Sequence, residues 1–485
     1  MFYEVLPAKV FRKSSDIEAG ILTYAYDKNL KPGTLVSVPL GKKTVLGIVY
    51  KKVAQPDGDY KIKSITSILY DKPLPDYLLK SIIWISSFYL CPMPQVVSLF
   101  LPNTLEKRHT LPVPDKATPL KDLDIPLNTA QKRALKELKT PGESSTKLLH
   151  GITGSGKTNI YLTLATEAFK RGESTILLVP EIALTSQLVQ VFSKTFGKNV
   201  VLIHSKQTDK TRRETWEKTL LSSSPKIVIG PRSALFLPLE NLGLIIIDEA
   251  HEFSYFQEQN PKYHALRLAS FMAKQQKVPC IFGTATPLAS DYYLAKSHSS
   301  VVTLSEKAKS TSIKPNIKIV DFKDRAEFDK NRYFSLSLLN QIDENLKNGY
   351  QTLIYHNRRG SAPLTICENC GYEALCPNCL LPLTLHSDLF KMVCHTCGFT
   401  TKIPTSCPEC KHPDIIHKGF GTKLLEAELK RLYKMPKSSV LTPIMIKIRV
   451  LISSMTTLKM ANTTSSSAPK PLRAALICQN SQLSG

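Results

Sequence analysis

The sequence has no apolar run approaching the roughly 18 residues that a membrane span needs. Residues 81–90 are apolar but too short. The start, Met1, Phe2, Tyr3, Glu4, lacks a charged segment followed by an apolar one, so no secretory leader is expected. Acidic side chains are scarce: 40 Asp and Glu stand against 64 Lys and Arg, leaving a net charge of +24. That balance favours a polyanionic partner, most simply nucleic acid. No Asp or Glu at all follows Glu428. These absences point to a cytoplasmic, reducing setting with no membrane partner, where paired cysteines read as metal sites rather than disulfides.

At 485 residues with 42% hydrophobic content, the chain has material for three or four cored domains. Residues 1–70 alternate apolar and polar positions between Gly and Pro punctuation and are expected to be β-rich; 73–100 reads as helical, with Trp84, Phe88 and Tyr89 at apolar positions. Residues 103–126 are rich in Pro, Lys and Asp and read as a linker. From Leu127 strands and helices alternate. The runs at 147–150, 175–179, 226–229 and 244–247 are short, apolar and bounded, as buried parallel strands are, and 352–355 begins a second set. From about Lys434 the text is rich in Ser, Thr and Lys and shows no strand–helix rhythm.

Two motifs carry chemistry. Gly151, Ile152, Thr153, Gly154, Ser155, Gly156, Lys157 and Thr158 form a complete phosphate-binding loop between a strand and a helix. Its glycines let backbone N–H groups approach phosphates, Lys157 reaches the β and γ oxygens, and Thr158 binds Mg²⁺. Downstream, Asp248, Glu249, Ala250 and His251 close an apolar strand. Asp248 is expected to hold Mg²⁺ and Glu249 to orient the attacking water as general base. Eight cysteines then fall in four CxxC pairs: 367/370, 376/379, 394/397 and 407/410. Each pair offers two thiolates, so two pairs saturate one tetrahedral Zn²⁺, and four imply two closed structural sites. Spacing alone allows three ways of combining the pairs. So short a segment cannot build a core without metal. Cys91, Cys280 and Cys478 show no partner spacing and read as ordinary core or surface residues.

Asp248–His251 is similar to a helicase box. Gly283, Thr284, Ala285, Thr286 and Pro287 resemble the motif that links hydrolysis to DNA in superfamily two, and Gln131, after Leu127, Asn128, Thr129 and Ala130, is placed to read an adenine edge. With the segments 179–184, His204–Ser205, 230–238 and 357–360 running into the cysteines, these motifs closely resemble the PriA family of primosomal replication-restart helicases over residues 1–433. The resemblance implies an α/β fold: a small β-rich N-terminal domain, a RecA-like parallel-sheet lobe, and an incomplete second RecA-like lobe carrying a two-zinc insert. It implies a 3′-DNA-end-binding-like domain at 1–102, a linker at 103–126 where the family has a winged helix, lobe 1 at 127–300, the start of lobe 2 at 301–366, the zinc insert at 367–410, a lobe 2 fragment at 411–433 and an aberrant tail at 434–485. It nests the zinc ligands, with Cys367, Cys370, Cys407 and Cys410 on one ion and Cys376, Cys379, Cys394 and Cys397 on the other.

The activity implied is ATP-dependent 3′→5′ DNA unwinding in restart of stalled or collapsed forks. The cofactors implied are ATP, Mg²⁺ and two Zn²⁺. The implied partners are forked and single-stranded DNA, primosome proteins, single-strand binding protein and the replicative helicase loader, at the nucleoid. Tyr255, Phe256 and Tyr263 fall in a segment similar to the family's aromatic-rich loop and are expected, with Thr284 and Thr286, to couple DNA to the ATP site. Departures from the pattern are Thr23, where the family has Asp, and the offset Leu266–Arg267. The family's arginine-bearing motif of lobe 2 has no counterpart after Tyr433. A truncated or frameshifted chain is therefore expected, one that binds ATP, zinc and DNA while hydrolysis falls by on the order of 10³–10⁵.

Overall fold

The computed structural model describes the chain except residues 9–19, 57–61, 103–104, 106–124, 141–144, 181–186, 309–315, 322–323, 332, 349, 357–363, 368, 387–389, 395–396, 414, 419–421, 434–448, 453–471 and 477–485. Most of the linker and the segments 181–184 and 357–360 therefore lie outside the described residues. The chain divides into two compact units, Met1–Ile313 and Lys314–Gly485.

The first unit begins with an antiparallel sheet of β1 (Phe2–Pro7), β2 (Leu22–Ala25), β3 (Leu35–Leu40), β4 (Lys43–Val53) and β5 (Ser67–Ile68), ordered β2-β1-β4-β3-β5. Thr23 sits on β2 opposite Glu4. Helices α1 (Asp76–Phe88) and α2 (Met93–Phe100) follow, each starting behind a proline. Proline fits a helix start because its missing N–H would have no acceptor there.

The larger sheet holds β6 (Thr146–Gly151), β7 (Ser174–Leu178), β8 (Val200–Leu202), β9 (Ile227–Gly230), β10 (Leu242–Asp248), β13 (Cys280–Thr284) and β14 (Val301–Leu304), in the order β14-β6-β13-β10-β7-β9-β8 and parallel throughout. A hairpin of β11 (Phe256–Gln257) and β12 (Tyr263–His264) interrupts the sequence after β10. All of β7 is buried, as is β10 up to Asp248. Such continuous apolar runs arise because helices cover both faces of a parallel sheet. One face packs against α3 (Thr129–Lys139), α4 (Lys157–Lys170) and α5 (Gln187–Phe196), through Ala134, Ile160, Leu164 and Phe192. The other packs against α6 (Asp209–Leu221) and α7 (Ala265–Gln276), through Trp216, Leu220, Leu268 and Met272; α8 (Ala289–Ser297) precedes β14.

Helices α1 and α2 belong to that second core rather than to a separate N-terminal one. Ile82, Ile85, Val97 and Phe100 share a cluster with Trp216, Leu235 and Met272. Polar ties close the seam: Trp216 Nε1 donates to the Phe100 carbonyl at 2.9 Å, and Tyr70 Oη donates to Glu217 Oε1 at 2.7 Å. The β-sheet keeps a small core of its own around Tyr3, Val5, Val38 and Val49.

In the second unit, α9 (Leu336–Lys347) packs beside β15 (Gln351–His356), and Phe334, Ile342 and Ile354 form a cluster with Leu425 and Leu429. The Cys-rich segment contributes β16 (Leu364–Cys367), the antiparallel ribbon β17 (Thr384–His386), β18 (Lys391–Val393) and β19 (Thr400–Lys402), and β20 (Ile415–Lys418), which pairs with β16. Helix α10 (Thr422–Leu432) follows. The expectation of a tail without strand–helix rhythm is corrected in part: β21 (Arg449–Ile452) and β22 (Leu472–Leu476) flank β15 on both sides in parallel. These four- and five-residue strands, each carrying an arginine, pair with β15's backbone but are too short to stand out in a Ser/Thr-rich text.

Glu217 is fully buried. Removing its hydroxyl donor by Tyr70→Phe is expected to cost roughly 1–3 kcal/mol. The check is the denaturation midpoint of the intact chain, with Tyr26→Phe, a partly exposed tyrosine, as control.

Candidate nucleotide site, aromatic loop and zinc centres

The loop between β6 and α4 is built on two left-handed glycines, Gly154 and Gly156, each at φ +80°. Among the described residues their N–H groups have no acceptor. They lie at the N-terminus of the 14-residue α4, so this cradle fits a nucleotide's phosphates by geometry as well as by helix dipole. Lys157 Nζ turns back to the Gly151 carbonyl at 2.9 Å. The loop is pinned from outside: Ile152 N–H donates to Leu304 at 3.2 Å and Ala308 N–H to Gly154 at 2.9 Å.

Gln131, expected to read an adenine edge, has its amide bonded to the loop and to the cap of α3. Its Oε1 accepts from Asn128 N–H at 2.9 Å, and the Asn128 side chain accepts from Gln131 N–H at 2.8 Å, a reciprocal cap on α3. Its Nε2 donates to the Ser155 carbonyl at 3.0 Å. The side chain is 2% exposed. A Cβ on Gly156 would lie 2.2 Å from Nε2, so glycine is required there for space as well as for φ.

Across the sheet, β10 delivers Asp248 beside that loop. Tyr161, on α4, donates to Asp248 Oδ1 at 3.0 Å, and Tyr255 Oη donates to the Asp248 carbonyl at 2.6 Å. Burial, followed by the neighbouring Glu249 charge, pushes the Asp248 carboxyl up to about 6. Its ionised form is therefore lost as pH falls through that value. Glu249 adopts φ +47°, a left-handed conformation that costs a non-glycine residue energy and recurs at functional sites. His251 Nδ1 lies 2.8 Å from Thr284 Oγ1, which also accepts from Thr286 N–H at 3.1 Å. The Asp248–His251 box and the 283–287 segment are thus joined directly.

The expectation for the aromatic loop is corrected in part. Tyr255 and Tyr263 are each 1% exposed and cannot stack on a base. Tyr255 is buried because its hydroxyl holds the end of β10, and Tyr263 because its ring packs edge-on against Phe236 at 5.3 Å. The rings that face solvent are Phe256, as expected, and Phe253, which sequence reasoning missed and which is 77% exposed. Its only signal was membership of the same aromatic run. Arg232 holds this loop by donating from Nη1 to the carbonyls of Ser254 at 2.7 Å and Phe256 at 3.1 Å.

The eight cysteines form the two nested sets: Cys367, Cys370, Cys407, Cys410, and Cys376, Cys379, Cys394, Cys397, with all sulfurs of a set within 4.8 Å of one another. Sulfur separations of 3.6 Å for Cys367–Cys410, 3.5 Å for Cys370–Cys407 and 3.5 Å for Cys376–Cys397 are close to the roughly 3.8 Å edge of a tetrahedron with Zn–S near 2.3 Å. The donor set fits Zn²⁺. Every CxxC turn closes in the same way. The fourth residue after the first Cys is left-handed (Gly371, Leu380, Gly398 and Lys411, φ +55° to +77°), and its N–H returns to that Cys carbonyl.

A parallel sheet carrying a phosphate loop, with Asp-Glu-Ala-His at the end of a central strand, defines a DEAD/DEAH-box helicase core, and residues 128–293 match the DEAD/DEAH box helicase model. Residues 18–102 match the 3′ DNA-binding domain of PriA, and residues 376–402 the Cys-rich region of the PriA DNA helicase. The chain belongs to the PriA family. It is 34% identical over 421 residues to the replication restart protein PriA of Rickettsia conorii, covering 86% of this chain and 64% of that one. It is also 34% identical to that of Helicobacter pylori, covering 87% and 64%, and 36% identical over 312 residues to that of Bacillus subtilis, covering 64% and 38%. The chain thus spans less than two thirds of the length of these relatives.

Two outcomes follow. A Cβ at Gly283 would lie 1.6 Å from Tyr161 Oη, so Gly283→Ala must displace the hydroxyl that braces Asp248. Nucleotide titrations with and without Mg²⁺ are expected to show a loss confined largely to the Mg²⁺-dependent component. At Gly398 a Cβ would touch nothing, so Gly398→Ala carries only the left-handed penalty, roughly 1 kcal/mol or about 5-fold. A chelator titration is expected to strip zinc from Gly398→Ala at correspondingly lower concentration, and from Lys411→Ala, already non-glycine, at the wild-type concentration.

Proposed function

We propose that this chain acts as an ATP-dependent 3′→5′ DNA helicase of the PriA type, in restart of stalled or collapsed replication forks and in primosome assembly. The observation that carries the reading is a bonded path from the phosphate loop to exposed rings. Tyr161 leaves α4 and holds Asp248, Tyr255 holds the same residue's backbone, and two residues away Phe253 stands open to solvent beside Phe256. A change at the carboxylate is thereby mechanically connected to a surface suited to unpaired bases.

In this reading, Gly151, Ile152, Thr153, Gly154, Ser155, Gly156, Lys157 and Thr158 hold the nucleotide, with Gln131 bracing the loop from behind. Bound Mg²⁺ supplies charge neutralisation at the transferred phosphoryl group. Lys157 exchanges the Gly151 carbonyl for phosphate oxygen, Asp248 and Thr158 hold the cation's shell, and Glu249 takes the proton of the attacking water. Thr284, through His251, passes the state of the box to the DNA-facing segment with Thr286. The zinc centres are structural, since four thiolates leave no open position for chemistry. Forked and single-stranded DNA are the substrates of this reading, and primosome proteins, single-strand binding protein and the helicase loader its partners, in the cytoplasm at the nucleoid. No helix among the described residues is long and apolar enough to cross a membrane.

The test is steady-state ATPase of the 485-residue chain with and without forked DNA. Turnover stimulated by DNA and lowered on the order of 10²–10³-fold by Lys157→Ala is expected. Nucleotide bound without DNA-stimulated turnover would overturn the helicase reading and leave a module that binds ATP, zinc and DNA.

A further inference from the structure

Away from the sheet edge of the N-terminal region and beyond the aromatic loop, three rings form a stack where α1 meets α7. Trp84 and Phe88 are four residues apart and so leave α1 on one face. Their ring centroids are 4.9 Å apart and their planes 18° from parallel. On the other side of Trp84 lies Phe271 of α7, again at 4.9 Å and 17°. Phe88 ends the stack and is 60% exposed, with Leu90 beside it 74% exposed. Trp84 and Phe271 alone suffice to pin α1 against α7. Phe88 adds a third ring and presents a flat π-face to water, a costly use of apolar surface for packing alone.

The surroundings are cationic and lead to the loop already described. Arg267 and Lys274, four residues before and three after Phe271, share its side of α7 and are exposed. Lys80, one turn before Trp84, is exposed as well. The acids at hand are Asp291, 3.2 Å from Arg267, and Asp76, 2.7 Å from Lys80; Lys274 has no ion pair among the described residues. Tyr89 sits edge-on to Phe88 at 4.9 Å, and its hydroxyl accepts from His264 N–H at 3.0 Å. The His264 ring is 6.1 Å from Phe256. Rings therefore continue from the end of α1 to the exposed loop.

We propose that the open face of Phe88 is a second stacking position for an unpaired base of single-stranded DNA, with Lys274 and Arg267 taking the adjoining phosphates. The inference rests on the DNA-translocase reading and adds where the strand goes after it leaves the loop. Stacking on aromatic faces tolerates any base, and nearby Lys and Arg track the backbone, which is the chemistry such a surface offers.

The test is anisotropy of labelled oligothymidylate with the full chain at several salt concentrations. Phe88→Leu keeps an apolar cover on Trp84 but removes the π-face, and is expected to weaken binding roughly 5- to 100-fold, while Phe88→Trp retains it. Lys274→Gln is expected to weaken binding and reduce the salt slope by about one. Wild-type-like binding by Phe88→Leu, or equal weakening by Phe88→Leu and Phe88→Trp, overturns the inference; the second would trace the loss to helix packing. If oligothymidylate does not bind the wild-type chain at all, the DNA reading itself falls. If it binds and is lost only on Phe253→Ala or Phe256→Ala, that reading stands without this second position.

Discussion

The position of one carboxylate organises the first unit. Asp248 sits, partly buried, at the end of a central strand that is buried up to it, with Glu249 next to it. A charge there is tolerable only if it is held: Tyr161 donates to the carboxylate, and Tyr255 fixes the residue's backbone carbonyl. Much of the local sequence serves that arrangement. Gly283 leaves room for the Tyr161 hydroxyl. The loop carrying Tyr255 must fold under the end of β10, and Arg232 fixes its carbonyls from the far side. Nucleotide chemistry and the exposed rings are therefore parts of one packed structure.

The N-terminal region is bound into the same logic. Its sheet has a core of its own, but α1 and α2 complete the apolar cover of the parallel sheet's outer helices. Hydrogen bonds between buried groups cross this seam, and both would be lost if the two parts separated. That makes the region a fixed extension of the nucleotide-binding core. A DNA contact on α1 would then be held at a constant distance from the aromatic loop.

The zinc segment shows a different economy. Outside the eight thiolates, its cluster is small: Ala374, Leu383, Leu385 and Met392 with a few partners. Four identical turns replace a core, and each depends on a left-handed residue after the second cysteine. Two of these are glycine, while Leu380 and Lys411 accept the strained conformation, so metal binding rather than local preference holds the turns in place.

Much of this was legible in the residues. Four of the seven strands of the parallel sheet, β6, β7, β9 and β10, fall within one or two residues of the apolar runs, because burial on both faces leaves a plain text. The phosphate loop and the CxxC pairs are equally plain, since their chemistry fixes residue type and spacing. Spacing left three pairings of the cysteines open, and only their spatial grouping separates the two sets. Burial was not legible where aromatics crowd. In the run from Phe253 to Tyr263 nothing local distinguishes a ring that closes the active-site strand from one that meets solvent. Gln131 could be seen as a site residue, but not that its amide would be taken up by a helix cap and the loop. The sequence by itself marked the phosphate loop, the Asp-Glu-Ala-His box and the cysteine ligands, because residue type and spacing are set by their chemistry. Which rings face outward, which helices share a core and which residue braces Asp248 were decided only by tertiary structure, because each depends on partners brought in from other elements, 87 and 147 residues away along the chain for Tyr161–Asp248 and Tyr70–Glu217.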